Sequence, residues 1–297
     1  MSISDKVAVI GAGQMGLGIV HAFALAGTQV TMVDIDAARL EKARAAIASI
    51  LKGGVDLGKL AQDKADACMG RIRGATSVAE AASGAGLVIE TATENMQIKL
   101  GLIRDASAAA PADAILASNT SALSITELAA VCEKPQRFAG MHFFNPVHKM
   151  KLVEIIRALQ TSDETIAALR DWTGRIGKQS VLVNEAPGFT TSRISALLGN
   201  EAMWMLSEGV ASAEDIDTSL RLAFNHPMGP LELGDLTGWD TRLSVLQYLH
   251  TVLGEKFRPC PLIIKMVKAG RYGRKVGHGV YEYVDGQKVA GSGLRAH

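Results

Sequence analysis

The sequence predicts an α/β domain built on a doubly wound sheet, followed by an all-helical domain. Three observations predict it. A strand, a glycine-rich turn, a helix and a second strand follow one another within the first 34 residues. Short apolar runs then alternate with helical stretches as far as about residue 184, the pattern of a sheet covered by helices. After Ala186-Pro187-Gly188 the strand-like runs stop and only helical spacing remains. The expected domains are therefore residues 1–185 and 186–297.

Val7–Ile10 is an apolar run of strand character, and Gly11, Gly13 and Gly16 follow it as G-x-G-x-x-G. Apolar residues recur at helical spacing from Gln14 to Leu25, and Gly27 ends that helix. Gln29–Val33 is a second short strand ending at Asp34. Asp36–Leu51 reads as an amphipathic helix carrying Arg39, Lys42, Arg44 and, just beyond, Lys52, with a break at Gly53-Gly54. Leu57–Cys68 reads as another helix, and Ala75–Ser77 lead into a short helical stretch. Leu87–Thr91 is a buried-type strand, Gln97–Ala110 a helix and Ala114–Ala117 a strand. Ser124-Ile-Thr-Glu127 is a capping box that starts a helix to Cys132. Phe138–Phe144, Leu152–Ile156 and Ser180–Asn184 read as three further strands.

In the second half, Ile194, Leu197, Leu198, Met205 and Leu206 form one helical stripe. Ser212 caps a helix to Phe224, and others follow at Pro230–Leu236, Thr241–Leu253 and Pro261–Ala269. Met203, Trp204 and Leu206 suit a core or a subunit interface better than a cofactor site. The stripe is more apolar than one short helix layer needs, so a homodimer is expected.

The first unit carries its own chemistry. A lone G-x-G-x-x-G is weak, but this one joins a strand to a helix, and an acid stands eighteen residues past its last glycine. Gly11 permits the tight turn, Gly13 lets backbone approach a pyrophosphate, and Gly16 allows close helix–strand packing, as in a Rossmann-like unit. The pyrophosphate belongs at the helix N-terminus, where free N–H groups favour an anion. Asp34 would bond the adenosine ribose and disfavour a 2′-phosphate, so NAD is expected over NADP.

Bulk properties remove other classes. A chain of 297 residues with 48% apolar composition is ample for two cores. A net charge of +1 and no basic tract give no drive toward nucleic acid. Cys68, Cys132 and Cys260 are widely spaced and odd in number, which suits reduced thiols, and no metal-binding spacing is present. No apolar run approaches the length of a membrane span, and strand-like sequence from Lys6 leaves no room for a signal peptide. A cytoplasmic location is expected.

Three residues are placed to do chemistry around strand ends. Ser121 follows the strand Ala114–Ala117, and His142 lies on a strand running into a turn. Glu154 sits inside the apolar strand Leu152–Ile156, where an acid is out of place, and a salt bridge to Lys151 is its plain alternative. His142 and Glu154 are equidistant from His148, so antiparallel pairing would put both on one face. A histidine held by a buried carboxylate is a general base with a fixed tautomer. Beside a nicotinamide, the economical reaction is oxidation of a secondary alcohol, with Ser121 bonding its oxygen.

The sequence resembles the L-3-hydroxyacyl-CoA dehydrogenase family, and within it the short two-domain 3-hydroxybutyryl-CoA dehydrogenases. Beyond the glycine loop, the resemblance rests on Glu94-Asn95, Ser118–Ser121, Gly140–Pro146, Lys151–Glu154, Pro187–Phe189, His226–Pro230 and Gly273–Tyr281. It implies NAD-dependent, reversible oxidation of an L-3-hydroxyacyl-CoA to the 3-oxoacyl-CoA. It makes His142 the base, Glu154 its orienting partner and Ser121 a substrate-contacting hydroxyl. It places NAD at Asp34, Glu94, Lys99, Ser121 and Asn145, with Lys275 near the cofactor. Ser49 and Lys52 match the region that meets CoA, although a solvated helix face accounts equally for Lys52. Pairing of two copies through the helical domain is implied too.

One departure stands out. After Pro-Gly-Phe the family carries an asparagine that helps form the catalytic pocket, and this chain has Ser192 there. Serine has shorter reach and lacks the amide's second group. Two alternatives therefore stay open. One is a relative acting on a non-CoA hydroxy acid, of carnitine or gulonate type. The other is a non-catalytic, crystallin-like dinucleotide-binding protein, against which Ser121, His142 and Glu154 argue.

Overall fold

A computed structural model describes residues 4–295. The chain divides into two compact units, one ending at Glu185 and one beginning at Ala186.

The first unit holds β1 (Lys6–Ile10), α1 (Gln14–Leu25), β2 (Gln29–Val33), α2 (Ala37–Asp56), α3 (Gln62–Gly70), β3 (Ile72–Ala75) and α4 (Val78–Ala82). It continues with β4 (Leu87–Glu90), α5 (Met96–Ala109), β5 (Ile115–Ser118), α6 (Ile125–Ala129), β6 (Phe138–Phe143), β7 (Leu152–Arg157), α7 (Asp163–Arg175) and β8 (Gln179–Asn184). The eight strands form one sheet in the order β3-β2-β1-β4-β5-β6-β7-β8. The first six are parallel, as a doubly wound sheet requires, and β7 runs antiparallel to β6. The order reverses between β1 and β4, which opens a crevice at the carboxyl ends of the strands.

Central strands such as β4 (Leu-Val-Ile-Glu) and β5 (Ile-Leu-Ala-Ser) are buried at every position, because helices cover both faces. Ile19, Val20 and Phe23 of α1 pack into the core with Val7, Val9, Met32 and Ile89. Helix starts are capped as their residues dictate. Asp36 accepts from Ala38 N, Asn95 from Ile98 N, Ser124 from Glu127 N and Ser162 from Thr165 N.

Three local expectations are corrected. Gly53-Gly54 does not break α2, which continues to Asp56. Each glycine costs about 1 kcal/mol relative to alanine. Burial of Ile47 and Leu51 anchors the helix, and Lys52 pairs with Asp56 one turn on. Its end comes at Gly58, whose φ of +65° supplies the left-handed residue there. The helix expected at Leu57–Cys68 begins only at Gln62, because Lys59 and Leu60 donate back to Gly54 O and wrap the end of α2. β3 and α7 were not expected. The four residues of β3 (Ile-Arg-Gly-Ala) are too few and too polar to read as a strand.

The second unit holds α8 (Thr191–Ser207), α9 (Ala213–Ala223), α10 (Pro230–Thr237), α11 (Trp239–Leu253) and α12 (Pro261–Lys268). A small hairpin, β9 (Tyr283–Val284) and β10 (Gln287–Lys288), follows them and qualifies the all-helical expectation. Its loop is Asp285-Gly286, both at positive φ, the turn an Asp-Gly pair favours. The α8 stripe does not share one face. Leu206 is buried with Met203 and Ala202, while Ile194 is 64% exposed.

Two buried carboxylates knit this unit together. Asp235 accepts from Trp239 Nε1 and from Val280 and Tyr281 N–H, and Asp217 accepts from Leu231 and Glu232 N–H and from Tyr281 OH. Burial raises the pKa of both, and the hydrogen bonds oppose that rise. A Cβ at Gly279 would lie 1.9 Å from Asp235 Oδ1, so much of the glycine-rich C-terminal string serves to wrap this acid. Among the described residues no helix is long and apolar enough to cross a membrane.

Candidate active site

The turn after β1 is shaped by its glycines. Gly11 stands at φ +106° and donates to Val33 O at 2.7 Å. A Cβ on Gly16 would lie 1.8 Å from Gly11 O, so the helix packs directly on the turn. A Cβ on Gly13 would meet nothing within 4 Å. The backbone is therefore open where α1 begins, and Gly13 as N-cap offers no side chain to occupy the first-turn amides. Asp34 accepts from Ala12 N at 3.0 Å through Oδ2 and from Asp36 N at 3.2 Å through Oδ1. Each oxygen keeps a lone pair for a ribose hydroxyl. An open glycine backbone at a helix start with an acid tied to it fits NAD.

His142 and Glu154 are direct partners in the antiparallel register of β6 and β7. That pairing puts both side chains on one face, and His142 Nδ1 lies 2.8 Å from Glu154 Oε2. Glu154 is fully buried and His142 nearly so. Ser121 Oγ lies 3.1 Å from His142 Nε2. With Nδ1–H directed at the carboxylate, Nε2 faces Ser121 as an acceptor, a tautomer assigned from the hydrogen-bond geometry. Phe144 packs against the imidazole, ring centroids 4.7 Å apart.

The loop carrying Ser121 follows β5. Glu94, on the loop after β4, accepts from Thr120 Oγ1, from Ser121 N at 2.9 Å and from Ala122 N at 3.3 Å. Glu94 Oε2 also lies 3.5 Å from Lys99 Nζ. Lys99, expected as a cofactor contact, is buried, and its ammonium donates to both oxygens of Glu90 and to Ala92 O. Ser118 Oγ donates to Glu90 as well, at 2.6 Å. Glu90 and Asn119, whose Oδ1 accepts from Phe143 N, were missed as site supports. An acid ending an otherwise apolar β4 was the available signal for Glu90.

The other expected residues fall elsewhere. Asn145 is exposed just past β6. Ser49 and Lys52 lie on the solvent face of α2, where Asp56 engages the lysine at 2.7 Å. Ser192 and Lys275 belong to the second unit. Ser192 is partly buried in the first turn of α8, and Lys275 pairs with Asp240 at 2.6 Å. Arg44, read as part of a basic helix face, is structural and donates to Ile72 O and Met69 O. Among the described residues no cluster of histidine, cysteine or carboxylate side chains could hold a metal.

The glycine loop, Asp34, Glu94 and Ser121 thus follow parallel strands of one sheet, and His142 lies one residue before the end of β6. The sequence profile of the NAD binding domain of 3-hydroxyacyl-CoA dehydrogenases matches residues 6–186, and that of their C-terminal domain matches residues 188–283. The chain belongs to the 3-hydroxyacyl-CoA dehydrogenase family.

A 3-hydroxybutyryl-CoA dehydrogenase of Bradyrhizobium diazoefficiens is 43% identical over 95% of this chain and 96% of its own length. A probable 3-hydroxybutyryl-CoA dehydrogenase of Bacillus subtilis is 44% identical over 94% of this chain and 97% of its own. The crystal structure of the (S)-3-hydroxybutyryl-CoA dehydrogenase of Ralstonia eutropha superposes with a TM-score of 0.91, at 44% identity, covering 95% of this chain and 100% of that one. This 3-hydroxyacyl-CoA dehydrogenase family member is an NAD-dependent oxidoreductase.

Proposed function

We propose that the enzyme oxidises the 3-hydroxyl of an L-3-hydroxyacyl-CoA reversibly to the 3-oxoacyl-CoA, with His142 as general base. The observation that carries this is the unbroken hydrogen-bond line Ser121–His142–Glu154. The NAD binding domain and relatives named for 3-hydroxybutyryl-CoA support the cofactor and a short acyl-CoA.

NAD, when bound, supplies the hydride acceptor. His142 Nε2 takes the hydroxyl proton as the substrate carbon is oxidised. Glu154 keeps Nδ1 protonated and stabilises the imidazolium that forms. Ser121 donates to the same substrate oxygen and fixes it within reach of Nε2. Gly11, Gly13, Gly16 and Asp34 hold the dinucleotide, and Glu94 and Asn145 complete its contacts. Lys99 acts through Glu94 and Glu90. Ser49 and Lys52 receive the CoA portion, for which Lys52 must leave Asp56. The enzyme works in the cytoplasm as a homodimer paired through the helical unit, where Ile194, Leu222 and Phe224 are exposed.

Two observations favour a second reading, a non-CoA hydroxy acid: Ser192 in place of the family asparagine, and the engagement of Lys52 by Asp56. A steady-state screen of NAD reduction decides between them. It compares short, medium and long 3-hydroxyacyl-CoAs with carnitine and gulonate. Greatest catalytic efficiency on a CoA ester supports the first reading, and greatest efficiency on carnitine or gulonate replaces it.

A further inference from the structure

We infer that Glu185 is a positioning residue that holds Ser121 in register with His142, an inference that rests on the functional reading of Ser121 above. Ser121 is exposed on a loop that joins β5 to α6, and a loop hydroxyl serves a proton relay only if its backbone is fixed. Glu94 fixes one end of that loop, but Glu94 is itself 44% exposed. The other end is held by a second carboxylate. Glu185 Oε1 accepts from Ser124 Oγ at 2.6 Å, and Oε2 accepts from Thr126 N at 2.8 Å and from Thr126 Oγ1. Ser121 is thus suspended between two acids, three residues from the nearer Glu185 donor.

The placement of Glu185 gives this anchor its meaning. Glu185 N donates to Arg157 O at 3.0 Å, which continues the parallel β7–β8 ladder by one residue. β7 is the strand that carries Glu154. A second link runs the same way, because Leu159 N, just past β7, donates to Thr126 Oγ1 at 3.0 Å. Both ends of the relay therefore refer to one strand: Glu154 by residing on it, and Ser121 through Glu185 and Thr126. Capping of α6 alone does not need this arrangement, since Ser124 Oγ already accepts from Glu127 N.

A double-mutant cycle on NAD reduction with 3-hydroxybutyryl-CoA tests the inference. Glu185→Ala removes the two oxygens that accept these three hydrogen bonds and is expected to lower kcat about tenfold with KM for NAD unchanged. Glu185→Gln keeps a carbonyl for Thr126 and should restore most of the loss. In a Ser121→Ala background the same Glu185→Ala change should cost less than about twofold, because the group it positions is gone. Equal losses in both backgrounds would show a general structural role and overturn the inference. Should Glu185→Ala fail to fold, Ser124→Ala takes its place in the cycle, with the same coupling expected. If Ser121→Ala and His142→Ala both leave turnover native, the functional reading itself fails, and the inference with it. If they lower turnover while Glu185 proves additive, the inference alone fails.

Discussion

Lys99 and Glu90 form an ion pair in which each side chain is only 1% exposed. The pair joins α5 to the end of β4 at the point where the chain turns toward Glu94. Two charges so buried are stable only when every remaining hydrogen-bond position is filled, and here Ala92 and Ser118 fill them. Removing one partner leaves an uncompensated charge. Lys99→Met is therefore expected to cost about 3–5 kcal/mol of stability. Adding Glu90→Gln to it should recover part of that loss. Denaturant unfolding of the two variants checks this, and a native midpoint for Lys99→Met would show that the pair does not hold the turn.

We propose that Asp34 sets the cofactor preference. Its oxygens bridge the glycine turn and the start of α2, so the acid is fixed where an adenosine ribose would lie. Asp34→Ala should weaken NAD binding severalfold, and the unaltered enzyme should use NADP poorly. Comparable kcat/KM with the two cofactors would place the ribose elsewhere.

For the proposed catalytic pair, His142→Ala should lower turnover by about two to four orders of magnitude while NAD binding stays nearly intact. Glu154→Gln should slow turnover and shift the pH–rate profile, because the imidazolium loses its counter-charge. Ser192→Ala should matter less than Ser121→Ala, since a serine there contributes at most one hydrogen bond, worth about 1 kcal/mol. Near-native turnover of His142→Ala would remove the histidine from the mechanism. A larger loss at Ser192 than at Ser121 would instead point to a pocket rebuilt for a non-CoA substrate.

The legible parts of this chain were those governed by local rules. β1, α1 and β2 follow from apolar runs bounded by glycines, and α1 and β2 keep their expected limits. The facing of His142 and Glu154 followed from the alternation of strand side chains about a central turn. What stayed hidden depends on tertiary burial. Lys99 is expected as a cofactor contact until Glu90 is placed beneath it, and residue 185 marks only a domain limit until β8 brings Glu185 to α6. Gly53 and Gly54 mislead because core packing of Ile47 and Leu51 outweighs their low helix propensity. The Asp285-Gly286 hairpin was readable, but its strands are only two residues each and carry no alternation.

His21, buried in the middle of α1, gives the first unit a pH dependence of known sign. Among the described residues its Nδ1 has no hydrogen-bond partner, and His148 stands edge-on with centroids 6.2 Å apart. Burial, reinforced by His148 and Lys178, lowers its pKa to about 4 from an ordinary 6.5. Above pH 6.5 the imidazole is neutral folded and unfolded, and stability is independent of it. Between 6.5 and about 4 the unfolded chain takes up a proton that the folded chain refuses, so stability falls as pH falls. The full loss is about 3 kcal/mol once both states are protonated. His148, whose pKa is also lowered by burial, acts in the same direction. His21→Leu should therefore match or exceed native stability at pH 7, since it removes a buried polar atom without a partner. It should also flatten the decline between pH 6.5 and 4. Denaturant unfolding of both proteins across that range provides the measurement. An unchanged slope in His21→Leu would assign the acid sensitivity to other groups.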